Sequence, residues 1–262
     1  VKIKSNIDFK RLIFYLPILI FSPYLCITFF MNIFFLENIS DISKINGDTF
    51  NHLKAHHVRI NDIIYFTDGK GTLAKAVISD FSKQYITAHI LETQLMPKSK
   101  TNSTLFAPLL KQSERFDWMI EKAVELGISN IIPIITELTI KSSVKISRLQ
   151  NIIKAASLQS LKYYFPTISE PIVFDEAIKL NKSSKRVIAY CGDEIQKLDL
   201  FECMNANEDV SIFIGPEGDF TSEEINKAIA YGIIPVSLGH QRLRSETAAI
   251  FSLSIFALKN HL

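Results

Sequence analysis

The sequence predicts an α/β protein in two parts: a small antiparallel β unit, then a parallel sheet with helices on its faces. Three observations carry this. From about residue 58 to 92, short β-rich runs alternate with turn signals. After "MPKSKTNS", residues 96–103, the pattern changes to strands alternating with amphipathic helices. Three of the later strands, "RVIAYCG", "VSIFIG" and "IIPVSLG", each end at a glycine, as strands feeding a βα turn do.

Taken in order, "DIIYF" is followed by "TDGKG", and Asp68-Gly69 with Gly71 marks a tight turn into "LAKAVISDF" and then "YITAHIL". The proline-bearing polar stretch 96–103 is the expected linker. "STLFAPLL" reads as a strand. "ERFDWMIEKAVELG" reads as a helix with Phe116, Met119, Ile120, Ala123 and Val124 on one face and Gly127 ending it. "ISNIIPIIT" is the next strand, and residues 146–164 read as a helix stopped by Pro166.

Of the 262 residues, 47% are apolar and 21% charged, and the formal net charge is +2. Such a balance excludes a uniformly basic nucleic-acid binder and leaves local patches as the route to RNA. Cys26, Cys191 and Cys203 are odd in number and form no CxxC, so neither a disulfide framework nor a zinc ribbon is expected. Residues 12–36, "LIFYLPILIFSPYLCITFFMNIFFL", carry no charge, behind Lys10 and Arg11. About 20 apolar residues span a bilayer, so a membrane helix is one reading. A signal peptide is a second, without the small-residue cleavage site it needs.

"VSIFIGPEGDFTSEEI" is the segment richest in chemistry. An apolar strand runs into Gly215-Pro216-Glu217-Gly218 and then a helix, for which Thr221 and Glu224 form a capping box. Ligands of open α/β sheets bind beyond the carboxyl ends of strands, and glycines let the backbone approach them. The same residues also suit a plain βα turn; they match neither GxGxxG nor GxxxxGK[ST]. "VSLGHQRLRSETAAI" repeats the design: Leu238-Gly239, a loop bearing Arg242 and Arg244, then a helix that Ser245 caps and Glu246 favours in its first turn. Glu217 is expected to be a buried carboxylate. His52 and His56 are four apart, but no third ligand follows. With Lys54 and Arg59 they suit RNA phosphates better than a metal, and no metal is expected. Lys122 and Glu125 are spaced to pair along a helix.

The pair "FIGPEGDFTSEEI" and "LGHQRLRSETAAI", with "EKAVELGISNIIPIITE", "AASLQSLKYYFP" and "HLKAHHVRINDIIYFTDGKG" before it, resembles the RsmE family of the SPOUT superfamily over about residues 31–260. That resemblance implies an S-adenosylmethionine-dependent methyltransferase acting on N3 of one uridine in 16S ribosomal RNA, in the cytoplasm, as a homodimer and without a membrane partner. It implies a trefoil-knotted methyltransferase domain over 98–262, an exception to the usual unthreaded topologies. A PUA-like β-barrel over 31–97 would precede it, and 1–30 would be an apolar extension outside the fold, with the working chain starting at Met31. The donor would be held by Ile214, Gly215, Pro216, Glu217, Gly218, Leu238, Gly239, Leu243, Arg244 and Thr247, with the turn after "RVIAY". Arg244 is the expected stabiliser of charge on the uracil, and Glu217 or Glu246 the group that orients it or takes its proton. His52, Lys54, Arg59, Lys111, Lys122, Gln159 and Lys162 are the expected RNA contacts.

Some positions depart from the family pattern. Gln241 stands where an arginine is usual, Arg242 where an aliphatic residue is usual, and Lys162 replaces an arginine, losing the planar fork. An RNA-binding protein on a decayed enzyme scaffold, a ribose 2′-O methyltransferase and a membrane-anchored protein are the competing expectations.

Overall fold

A computed structural model describes residues 32–140, 143–180 and 183–260. The reading of 1–30 as an extension lies outside these residues, as does most of the apolar stretch. The chain opens with β1 (Ile33–Phe35), β2 (Ile42–Ile45), α1 (Gly47–Ala55), β3 (Ile63–Thr67), β4 (Thr72–Phe81) and β5 (Ile86–Leu95). They form a five-stranded sheet in the order β1-β3-β4-β5-β2. Three of its pairings are antiparallel, as the hairpin signals predict; β1 pairs with β3 in parallel, which local turn signals cannot show. Alternation along β4 buries Ala74, Ala76 and Ile78 against Phe34, Phe50, Leu53 and Phe66. The Asp68 carboxylate fixes the hairpin turn by accepting from the Lys70 and Thr72 amides at 2.8 and 3.1 Å.

Next come β6 (Ser103–Pro108), α2 (Ser113–Glu125), β7 (Asn130–Ile135), α3 (Ile146–Gln159), β8 (Thr167–Ile168), β9 (Ile172–Val173) and α4 (Phe174–Leu180). They are followed by β10 (Lys185–Ala189), β11 (Leu198–Asp199), α5 (Leu200–Cys203), β12 (Val210–Phe213), α6 (Ser222–Ala230), β13 (Ile234–Ser237) and α7 (Ser245–Lys259). These strands make one parallel sheet in the order β11-β13-β10-β12-β6-β7-β8, with β9 on β7. Both of its faces are covered, so the strands are apolar on both sides. Leu105, Ala107, Ile212 and Ile214 face α2, α3 and α7. Phe106 and Phe213, register partners on β6 and β12, face α4 and α6 and stack with ring centroids 3.9 Å apart. The central strand β10 runs between β12 and β13, which the chain adds later on either side of it. That is the switch point of the sheet, where carboxyl-end loops diverge and leave a crevice.

Local expectations are met at the Thr221–Glu224 capping box and at Gly127, whose φ of +81° follows the end of α2. Two are corrected. The helix over 146–164 stops at Gln159, and Leu161 takes a left-handed φ of +54°. Arg244, not Ser245, holds the N-cap position of α7; Ser245 is buried inside its first turn. The two sheets meet where the Gly71 amide donates to the Tyr163 carbonyl at 2.9 Å and the Phe165 amide to the Gly69 carbonyl at 2.8 Å. Among the described residues, no helix is long and apolar enough to cross a membrane.

Candidate active site at the sheet switch point

Beyond the carboxyl ends of β10, β12 and β13, bounded by the starts of α2 and α7, lies a cavity of about 1120 Å³. Each of its three loops is fixed by its own residues. After β12, the Asp219 amide donates to the Pro216 carbonyl at 3.0 Å, closing a tight turn with Asp219 at φ +64°. The Asp219 carboxylate then accepts from the Cys191 amide at the end of β10 and from the Phe220 amide, both at 2.9 Å. One side chain thus welds two of the loops together. Gly215 is required there: a Cβ on it would lie 2.9 Å from Asp219 Oδ1 and 3.1 Å from the Asp219 backbone.

After β13, Gly239 has φ +100°, a conformation L residues avoid, and nothing lies within 4 Å of where its Cβ would stand. Ser237 Oγ accepts from the Gly239 amide at 3.2 Å. After β10, Lys197 Nζ donates to the Gly192 carbonyl at 2.6 Å, and the Tyr190 hydroxyl donates to Glu194.

The mouth is braced by Arg115 of α2. Its Nε and Nη2 reach Glu246 Oε1 and Oε2 at 2.9 and 2.5 Å, and its Nη1 reaches Glu217 Oε1 at 3.0 Å. Burial at 8% exposure works against ionising Glu246, but the Arg115 hydrogen bonds, its own backbone amide and the charges of Arg115 and Arg244 outweigh it. The Glu246 carboxyl is held below the usual carboxylate range, and Arg115 is correspondingly harder to deprotonate. Glu217 corrects an expectation: it is exposed at the rim, and the buried carboxylate is Glu246. Partial desolvation, reinforced by the Asp219 charge, pushes the thiol of the exposed Cys191 up.

Of the residues expected to hold the donor, Ile214, Gly215, Pro216, Glu217, Leu238, Gly239, Leu243 and Arg244 line the cavity. Gly218 does not; it packs against Leu138. Thr247 sits exposed on α7, outside the lining. Gln112, Arg115, Asp219, Lys197 and Ser237 join the site without having been foreseen. Asp219 left a weak signal, being an αL-tolerant residue straight after Gly218. Arg115 left none, because its partners are 102 and 131 residues away.

The expected RNA contacts are dispersed. His52 packs its ring edge-on to Phe34 and His56, and burial and the neighbouring His56 lower its pKa. Lys54, Arg59 and Gln159 are exposed, and Lys122 is paired with Glu121 and Glu125 at 2.8 and 2.7 Å. Lys162 is half-buried at the junction of the sheets, and burial lowers its pKa. Only Lys111 adjoins the cavity, its amide donating to Glu217 Oε1 at 3.2 Å. Among the described residues, no group of three His, Cys, Asp or Glu side chains is arranged to hold a metal ion.

The RNA methyltransferase domain family matches residues 97–257, which contain the whole parallel sheet and every loop of the cavity. The chain belongs to that family. The ribosomal RNA small subunit methyltransferase E of Rickettsia conorii is 29% identical over 229 residues, 85% of this chain and 93% of the relative. A probable rRNA methyltransferase from Porphyromonas gingivalis superposes with a TM-score of 0.81 at 31% identity, over 88% of this chain and 98% of that one. The ribosomal RNA small subunit methyltransferase E of Neisseria gonorrhoeae, solved bound to S-adenosyl methionine, gives 0.75 at 29% identity over 86% and 95%. The family expected from the Gly215–Gly218 and Leu238–Arg244 segments is therefore the family found.

Proposed function

We propose that this protein transfers a methyl group from S-adenosylmethionine to N3 of a specific uridine in the 16S RNA of the small ribosomal subunit. The observation that supports this best is the cavity itself: three strand-end loops, two of them welded by Asp219, and a mouth braced by Arg115, in a chain of this family. Its residues fit a nucleoside carrying a sulfonium. The volume is ample for such a ligand. Ile214, Leu238, Leu243 and Ala248 offer apolar surface for an adenine ring, and the open space at Gly239 admits close backbone approach. Asp193, Glu217 and Asp219 bring carboxylates to a lining that also carries Arg115, Lys197, Arg242 and Arg244, cations suited to an RNA substrate. When bound, the donor supplies an electrophilic methyl group.

The chain's own residues do the rest. They hold the acceptor base in line, exclude water and manage one proton, because uracil N3 is a nucleophile only without its hydrogen. Arg244, exposed at the rim ahead of α7, is placed to disperse charge developing on the uracil. Glu217 and Glu246 are the carboxylates at hand to orient the base or take its proton. We further read residues 31–97 as a PUA-like β-barrel that grips RNA through His52, Lys54 and Arg59, with Lys111, Lys122, Gln159 and Lys162 extending that surface. Residues 98–262 are read as a knotted methyltransferase unit, working as a homodimer in the cytoplasm.

Mass spectrometry of 16S RNA from a strain lacking the gene tests the reading. Loss of one base methyl, restored by the wild-type gene, is the expected result. Unchanged RNA, or loss of a ribose methyl instead, refutes it.

A further inference from the structure

Glu217 and Glu246 face one cavity, and the pattern of their hydrogen bonds tells them apart. Glu246 has both oxygens taken by the Nε and Nη2 atoms of one guanidinium, in the bidentate geometry that carboxylates match best. Glu217 is held by one oxygen only. Its Oε1 accepts from Arg115 Nη1 and from the Lys111 amide, and among the described residues its Oε2 makes no hydrogen bond. Its side chain is 34% exposed, against 10% for that of Glu246. The guanidinium that joins them comes from α2, while Glu217 rides on the loop after β12 and Glu246 on the first turn of α7.

Resting on the methyl-transfer reading above, we infer that Arg115 is a positioning residue for the reaction. Its fork locks Glu246 as a fixed anion and presents Glu217, through the remaining oxygen, as the group that takes the uracil proton. In that step the proton passes from uracil N3 to Glu217 Oε2. The electron pair left on N3 forms the new N–CH₃ bond, and the pair of the breaking S–CH₃ bond returns to sulfur, leaving a neutral thioether. Arg115 also offsets the repulsion between two carboxylates at one rim. The depressed pKa of Glu246 agrees with its exclusion from proton transfer.

The test measures methyl transfer from labelled S-adenosylmethionine to small ribosomal subunits prepared without the modification, with donor affinity measured separately by calorimetry. Displacing a reacting group by about 1 Å costs on the order of 100-fold in rate, and Arg115→Met is expected to lower kcat by that order while donor Kd changes far less. Arg115→Lys, which keeps the charge but not the fork, recovers part of kcat and serves if the Met variant does not fold. Glu217→Gln is expected to be slower than Glu246→Gln. Combining Arg115→Met with Glu217→Gln is expected to be no slower than the worse single variant, as for groups acting as a unit. Full kcat in Arg115→Met, multiplied losses in the double variant, or Glu246→Gln as the slower carboxamide would each overturn the inference. A wild-type protein that methylates no small-subunit RNA defeats the functional reading and this inference with it. An active wild type indifferent to Arg115→Met defeats the inference alone.

Discussion

Asp219 is the side chain on which two of the three cavity loops depend, and replacing it measures that dependence. In Asp219→Ala the Cys191 and Phe220 amides both lose a carboxylate acceptor at 2.9 Å. Hydrogen bonds to charged groups contribute about 1.5–3 kcal/mol each, and these lie near the surface, so the lower end applies and the loss is about 3 kcal/mol. In a protein of this size that lowers Tm by roughly 6–12 °C. Asp219→Gly loses the same bonds but relieves the left-handed backbone at φ +64°, which costs a Cβ-bearing residue about 1–2 kcal/mol, so it should lose only about 2 kcal/mol. Asp219→Asn keeps αL tolerance but has one carbonyl oxygen for two amides that bond different carboxylate oxygens, so it should lose about 2 kcal/mol. Ala as the least stable of the three, read from urea unfolding, is the signature. Calorimetry should show donor affinity lowered in all three, because the Cys191 loop is freed. If Ala lies within about 0.5 kcal/mol of wild type, or Gly is the less stable of the two, the weld is not what holds these loops.

Three further outcomes follow from the geometry. Gly239→Val has room for its Cβ but must hold φ +100°; it should fold with a loss of about 1–2 kcal/mol, and calorimetry should show donor binding weakened at least tenfold. Phe213→Ala removes a fully buried ring stacked on Phe106 and should cost about 3–5 kcal/mol in urea unfolding without changing the shape of the pH–rate profile. The Glu246 carboxyl has a lowered pKa in the folded protein, so its contribution is present above the ordinary carboxylate range and is lost as pH falls through the lowered value. Wild type should therefore exceed Glu246→Gln in stability at neutral pH, and the gap should close toward strongly acidic pH; a gap independent of pH contradicts the assignment.

What was legible in the sequence divides by the range of the interaction that fixes it. Strand periodicity, the Asp68 turn, Gly127 and the Thr221–Glu224 box are settled within a few residues, and each appears where the pattern puts it. The end of α3 is not visible in the pattern, because residues 160–164 continue the helical composition yet are drawn off by pairing with the first sheet at Gly69 and Gly71, about ninety residues earlier. Within the site, glycines at strand ends mark Gly215 and Gly239 from local sequence alone. Asp219 left only the weak signal of an αL-tolerant residue after Gly218, and Arg115 left none. An arginine one turn into an amphipathic helix looks solvated until α7 is packed beside it.

The exchange of burial between Glu217 and Glu246 has the same origin. A carboxylate next to glycine in a strand-end turn reads as enclosed, since turns at a switch point usually are. Here α2 covers the first turn of α7, where Arg115 takes both Glu246 oxygens, while Glu217 on the loop after β12 stays at the rim. Glu246 is therefore buried and must be paired, because an ionised group out of water without a partner is costly. Glu217 keeps one oxygen uncommitted because it stands at the edge of that cover. The difference in environment between two chemically similar side chains thus arises from helix packing more than a hundred residues away in sequence. A reading confined to the motifs finds both carboxylates but cannot tell them apart.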